Sequence, residues 1–227
     1  GKCDRRRAYG RITDDGGTAM KNLQIETLVL GGMATNCYLV MHKNSKKLLI
    51  IDPAAETERI IARIEAMGAK PEAVLLTHGH FDHIGAVDEL REKYDIPVCG
   101  LDKEKEIFED DYKNLSAMVG KGFTVKPDRT FCDGERVAFG GMVCKVLYTP
   151  GHTIGSACYY FPDESVLFSG DTLFRCSVGR TDFPTGSMSQ IHDSIHAKLF
   201  VLPEDTIVLP GHNEQTDIGY EKQNNPY

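Results

Sequence analysis

No stretch of the 227 residues approaches the roughly 18 consecutive apolar positions that a membrane span needs. No secretory apolar segment precedes the patterned part of the chain. Both absences argue against a membrane protein and point to the cytoplasm. Also missing is the combination of low hydrophobicity and high net charge that keeps a chain unfolded. Hydrophobic residues make up 41% and charged residues 26%, as in ordinary globular proteins. Basic residues are the minority, 26 against 33 acidic, for a formal charge of -7. Broad attachment to nucleic acid or anionic lipid is therefore not expected. None of the seven cysteines stands in a C-x-x-C pair, and their number is odd. Most lie in apolar runs, which predicts buried free thiols in a reducing compartment. Nothing in the chain bears on oligomeric state.

The length suits one domain. Residues 1–19 carry Arg5-Arg6-Arg7 and Arg11, then Asp14-Asp15-Gly16-Gly17, with no apolar period. They read as a flexible extension or a processing remnant, and residues 20–227 as the folded domain. Apolar runs predict strands over Leu23–Leu30, Cys37–His42 and Lys47–Ile51. Helical spacing of Ile60, Ile61, Ile64 and Met67 predicts a helix over Glu56–Met67. A strand over Ala73–Thr77 and a helix over His83–Tyr94 follow, then a strand at Pro97–Gly100 and a charged, helical surface segment over Asp102–Gly120. Further strands are expected at Arg136–Phe139, Met142–Tyr148, Ser156–Phe161, Ser165–Ser169 and Thr206–Leu209, with a helix at Met188–Phe200. This order fits two sheets covered by helices.

Four of these strands share one ending. Val74-Leu75-Leu76-Thr77 leads to His78-Gly79-His80-Phe81-Asp82-His83, and Val146-Leu147-Tyr148-Thr149-Pro150-Gly151 leads to His152. Val166-Leu167-Phe168-Ser169-Gly170 leads to Asp171, and Ile207-Val208-Leu209-Pro210-Gly211 leads to His212. If the strands point the same way, seven side chains gather on one rim. Imidazole and carboxylate suit zinc, iron or manganese, and a carboxylate can bridge two ions. One strand-end histidine alone would be an ordinary solvated residue; a H-x-H-x-D-H cluster with three matching partners is a metal signal. His42 in a strand, and His192 and His196 on a helix, read as structural, since Asp193 stands where a metalloprotease motif carries glutamate.

Thr77–His83 with Pro150-Gly151-His152, Ser169-Gly170-Asp171 and Pro210-Gly211-His212 resembles the metallo-β-lactamase superfamily, from about Met20 to Tyr227. The resemblance implies an α/β fold, a four-layer αββα sandwich with its site on one edge of the sheets. It implies that His78, His80 and His152 hold one metal, that Asp82, His83 and His212 hold a second, and that Asp171 bridges them. Zinc is the first expectation for both ions, iron or manganese the alternatives.

Asp171 stands where some lactamases carry a cysteine ligand, which argues against a β-lactam substrate, and the chain has no length for a nucleic-acid-processing domain. Gly170–Phe174 followed by Gly179-Arg180-Thr181-Asp182-Phe183 resembles glyoxalase II-like hydrolases and also the persulfide dioxygenases. The stretch from Asp217-Ile218-Gly219 to Asn225-Pro226 resembles the short bacterial glyoxalase II-like (hydroxyacylglutathione hydrolase-like) group, without the C-terminal helices that hold glutathione in the longer enzymes.

The expected reaction is hydrolysis of an anionic thioester such as S-lactoylglutathione by a bridging hydroxide, with Asp82 and Asp171 as catalytic residues. Metal lowers the pKa of water from about 15.7 to about 7, a stabilisation of roughly 12 kcal/mol. A single general base supplies roughly 3–5 kcal/mol, so the metal reading ranks above a His/Asp dyad. Arg180 is the expected clamp for a substrate carboxylate, against a plain surface salt bridge. Asp52 either supports a ligand histidine or makes a turn beside Pro53. The alternative function is a mononuclear Fe(II) persulfide dioxygenase using His78, His152 and Asp171. A non-catalytic metal or thiol sensor ranks last.

Overall fold

Burial on both faces of one strand decides the architecture. In one strand Tyr38 and Val40 enter one apolar cluster, while Leu39 and Met41 enter another on the opposite face. Such a strand is covered on both sides, which calls for a sheet between two layers. The structure, a computed structural model, describes residues 21–227 and the backbone of Thr18 and Ala19. The expected extension lies largely outside the described residues, although Thr18 and Ala19 pair with the next strand.

The first sheet runs in chain order through β1 (Thr18–Ala19), β2 (Leu23–Leu30), β3 (Thr35–His42), β4 (Lys47–Ile51), β5 (Lys70–Leu75), β6 (Val98–Leu101) and β7 (Arg129–Phe131). It is antiparallel to β4 and parallel from β4 onward. The second sheet holds β8 (Arg136–Phe139), β9 (Met142–Tyr148), β10 (Ala157–Phe161) and β11 (Val166–Gly170). A separate hairpin follows, β12 (Leu173–Phe174) and β13 (Ser177–Val178), and then β14 (Ile207–Pro210) and β15 (Thr216–Asp217) complete the second sheet. Its order is β15-β14-β11-β10-β9-β8, with β14 parallel to β11.

Val40, Ile51, Leu75, Val146, Tyr159 and Phe168 pack between the sheets. Helices α1 (Thr57–Ala66), α2 (Phe81–Ile84) and α3 (Val87–Tyr94) cover the outer face of the first sheet through Ile60, Ile64, Ile84 and Leu90. The segments α4 (Lys105–Phe108) and α5 (Ser116–Val119) lie between β6 and β7. Helices α6 (Met188–Ser194) and α7 (Ile218–Asn224) cover the second sheet through Ile191 and Ile218. This is the expected αββα sandwich. No helix among the described residues is long and apolar enough to cross a membrane.

Three expectations are corrected. The helix expected over His83–Tyr94 begins at Phe81 and breaks after Ile84. There Gly85 lies against the Ala54 carbonyl with no room for a Cβ, and the Ala86 amide donates to Pro53 at 3.0 Å. The charged segment 102–120 is helical only in short pieces, a 3-10 turn and the helices α4 and α5, and it is not purely surface, since it buries Glu104, Ile107, Phe108, Leu115 and Ser116. Cys37, Cys99, Cys144 and Cys158 are buried free thiols and Cys132 is free but exposed, whereas Cys176, in the β12–β13 turn, is disulfide-bonded.

Candidate metal centre

The four strand ends meet on one edge because the two sheets are bonded together there. Tyr159 Oη on β10 donates to the Leu76 carbonyl at 2.7 Å, and the Ala157 amide donates to Thr77 at 2.8 Å. From the other side, the Asn36 amide donates to Gly211 at 2.7 Å, and Tyr38 Oη to Pro210 at 2.6 Å. These bonds draw the histidine loop after β5 against the ends of β9, β11 and β14. Crowding sets the residue types: a Cβ on Gly211 would strike Asp171 Oδ1, and Gly170 turns with φ of +50° directly beside Thr77.

The structure brings all seven residues together. Nitrogens of His78, His80 and His152 lie within 4.8 Å of one another, as do donor atoms of Asp82, His83 and His212. Asp171 stands between the two groups. Its Oδ1 is 3.4 Å from His83 Nε2, and its Oδ2 is 3.5 Å from His152 Nε2 and 3.4 Å from His212 Nε2. Asp82 Oδ2 lies 3.2 Å from His212 Nε2 and accepts a hydrogen bond from Thr35 Oγ1 at 3.1 Å.

Four buried side-chain atoms of the centre have no hydrogen-bond partner: His78 Nε2, His80 Nε2, His83 Nε2 and Asp171 Oδ1. Buried polar atoms left unpaired cost free energy. His80 Nδ1 faces His152 Nε2 at 3.0 Å, and the His152 nitrogen presents its lone pair there because its Nδ1 donates to the Arg180 carbonyl. Unpaired imidazole and carboxylate donors at such a density fit divalent cations.

The protonation pattern agrees. Burial, then the neighbouring His83 and His152, hold His78 well below the usual imidazole range. Burial, then His152, bring His80 down to about 3. Burial would lower His83 too, but Asp171, Asp82 and Asp52 around it hold it well above that range. Burial likewise opposes His212, yet Asp171 and Asp82 raise it to about 9. Burial would raise Asp82, but His83 and His212 hold it at about 2. One half of the centre is thus neutral imidazole with open lone pairs, and the other half holds protons that a cation would displace.

The outer ring nitrogens are fixed by residues around the centre. His83 Nδ1 lies 2.9 Å from Asp52 Oδ2, while Asp52 accepts from the Thr77 amide at 2.8 Å and from Thr77 Oγ1 at 2.6 Å. Asp52 therefore supports a histidine, the first of its two sequence readings. Thr77 Oγ1 also lies 3.1 Å from His78 Nδ1, and the Arg180 carbonyl accepts from His152 Nδ1 at 2.8 Å. The Arg180 guanidinium lines the cleft but forms a two-armed pair with Asp182 at 2.7 and 2.6 Å and stacks over Phe183. His42 bonds near Ser45, and His192 and His196 stack on each other away from the centre.

One buried residue escaped the sequence reading. Glu104 is fully buried, its Oε1 accepting from the Gly79 amide at 2.8 Å and its Oε2 from the Gly155 amide at 2.7 Å. It ties the loop of His78 and His80 to the loop of His152. In the sequence it stands in Asp102-Lys103-Glu104-Lys105-Glu106, a run whose composition reads as solvated surface.

Comparison with known proteins agrees with this architecture. The family described as "Metallo-beta-lactamase superfamily" matches residues 30–212. The chain is 42% identical over 200 residues to the probable metallo-hydrolase YqgX of Bacillus subtilis, covering 87% of this chain and 94% of the relative. It is 36% identical over 215 residues to the hydroxyacylglutathione hydrolase GloC of Haemophilus influenzae, covering 90% and 98%. Among solved structures it is similar to BLEG-1 B3 metallo-beta-lactamase, with a TM-score of 0.85, 40% identity and coverage of 89% and 98%. It is similar also to TTHA1623 in a di-iron-bound form, with a TM-score of 0.79, 36% identity and coverage of 88% and 98%. ETHE1 from Myxococcus xanthus follows, with a TM-score of 0.73, 31% identity and coverage of 89% and 83%. The span matched by the family holds β3 to β14 and all four strand ends, and the chain belongs to the metallo-beta-lactamase superfamily.

Proposed function

We propose that this protein is a dinuclear metal-dependent hydrolase of thioesters. The observation that carries the reading is Asp171, whose two oxygens face different imidazoles between two three-residue donor groups. His78, His80 and His152 would hold one divalent ion, Asp82, His83 and His212 the other, with Asp171 shared. Two ions so held supply a Lewis acid for the carbonyl and a water of lowered pKa. The imidazole and carboxylate donors accept zinc, iron or manganese; zinc is the first choice.

The chain's own residues do the positioning. Asp82, held by Thr35, orients the attacking water, and Asp52 and the Arg180 carbonyl keep His83 and His152 in one ring orientation. A thiolate is a good leaving group, so no dedicated acid is needed. The similarity to GloC, named as a hydroxyacylglutathione hydrolase, supports a thioester of a small thiol. Arg180 meets a substrate carboxylate only by leaving Asp182.

A second reading is oxidation of a persulfide at a single iron held by His78, His152 and Asp171. The similarity to ETHE1 keeps it open, and the di-iron-bound form of TTHA1623 supports iron as the metal while matching a centre of two ions. The likeness to BLEG-1 also reopens β-lactams, which the aspartate at 171 argued against. One experiment separates the three: metal counted per chain, with S-lactoylglutathione cleavage, oxygen uptake on glutathione persulfide and nitrocefin cleavage measured side by side. Two ions and thioester cleavage are expected. One iron with oxygen uptake, or nitrocefin cleavage alone, overturns the proposal.

A further inference from the structure

The cleft over the centre encloses about 620 Å³, and part of its wall is apolar. Met33, from the turn between β2 and β3, lines it with Leu115, Met118 and Val119 of the α5 region. Met33, Met118 and Val119 are 57%, 69% and 62% exposed. Phe123, also exposed, lines an adjoining pocket of about 230 Å³ that shares Met33, Phe81 and Asp82 with the cleft. Scattered exposed apolar residues need no cause, but several converging on one polar centre mark a contact surface. Methionine suits this use, since its flexible thioether adapts to ligands of different shape. Ionic recognition is scarce by comparison. Arg180 is the only lysine or arginine among the described residues lining the cleft, and Asp182 already occupies both arms of its guanidinium.

We infer that the site selects thioesters carrying an extended aliphatic or aromatic group, seated against Met33, Leu115, Met118 and Val119, over those recognised through carboxylates. The inference rests on the thioester hydrolysis proposed above and names its substrate class. It sets the acyl group of S-lactoylglutathione, small and hydroxylated, among the poorer substrates.

The test uses the full-length, metal-loaded protein and two probe series. One is N-acetylcysteamine thioesters from acetyl to octanoyl, and the other is thioacetates of alkyl thiols from methyl to octyl. In at least one series kcat/KM should rise about two- to fourfold per methylene, as partial to full burial of each group predicts. Met118→Asp and Val119→Asp, at exposed positions that do not endanger the fold, should flatten that slope. A flat profile in both series, or a slope that both variants leave intact, overturns the inference. Failure of the thioester reading looks different, since no probe of any length is then cleaved. In that event, calorimetric titration with uncleavable S-alkyl N-acetylcysteamine thioethers still reads the wall. Affinity that grows with chain length supports it, and affinity indifferent to length removes it.

Discussion

Glu104 and Gly79 are joined by a hydrogen bond of 2.8 Å from the glycine amide to Oε1, and Glu104 reaches Gly155 with its other oxygen. One buried carboxyl thereby holds two loops that carry three of the seven candidate ligands. Glu104→Ala should strand two buried N–H groups at about 1–3 kcal/mol each and weaken metal affinity about 10- to 100-fold. Urea unfolding and competitive chelator titration measure the two effects; Glu104→Gln, which keeps one acceptor, should recover part of both. An unchanged metal affinity in the alanine variant would show the loops to be held without it.

The same carboxyl carries a pH signature. Burial pushes it from 4.5 up to about 8, against the pull of the Gly79 and Gly155 amides and Thr153. Its folded-state pKa is raised, so its contribution is complete below about pH 4.5 and is lost as pH rises through 8. The stability difference between the parent protein and Glu104→Gln, which has no proton to lose, should therefore shrink steadily from pH 5 to 8. A difference that grows over that range would reverse the sign and refute the assignment.

Metal uptake should release protons at neutral pH. His212 is raised to about 9 and His83 lies well above the usual imidazole range, so both carry protons in the metal-free protein that a cation must displace. Apparent affinity should climb with pH up to about 9, where His212 has lost its proton. Calorimetry of zinc binding in buffers of different ionisation enthalpy counts the protons; a count of zero at pH 7 contradicts the charge pattern.

Asp171→Ala should cost at least one metal per chain and lower activity by about 100-fold or more. Elemental analysis and turnover of one thioester check it together. Full metal content with full activity would mean that the carboxylate does not bridge.

Arg180→Ala should change little. The guanidinium is bound to Asp182, so its loss should raise KM for S-lactoylglutathione by less than about fivefold and leave a neutral thioester unaffected. A rise above tenfold confined to the anionic substrate would show that the arginine abandons Asp182 for the substrate.

Much of this molecule was legible in one dimension. The apolar run Cys37–Met41 reads locally as a strand, and the order of such runs and helices reads as two sheets covered by helices. The H-x-H-x-D-H run and three strand ends closing on Gly151-His152, Gly170-Asp171 and Gly211-His212 state a metal chemistry in their residue types alone. What remained open depends on contacts between distant segments. Asp52 is a turn aspartate until Thr77 and His83 are seen against it, 25 and 31 residues away. Glu104 is one charge in a charged run until Gly79 and Gly155 close over it. Arg180 is a free clamp until Asp182 folds back onto it. Local periodicity and residue chemistry are properties of the chain; burial, pairing and the proton balance of a crowded site arise only when the two sheets are brought together.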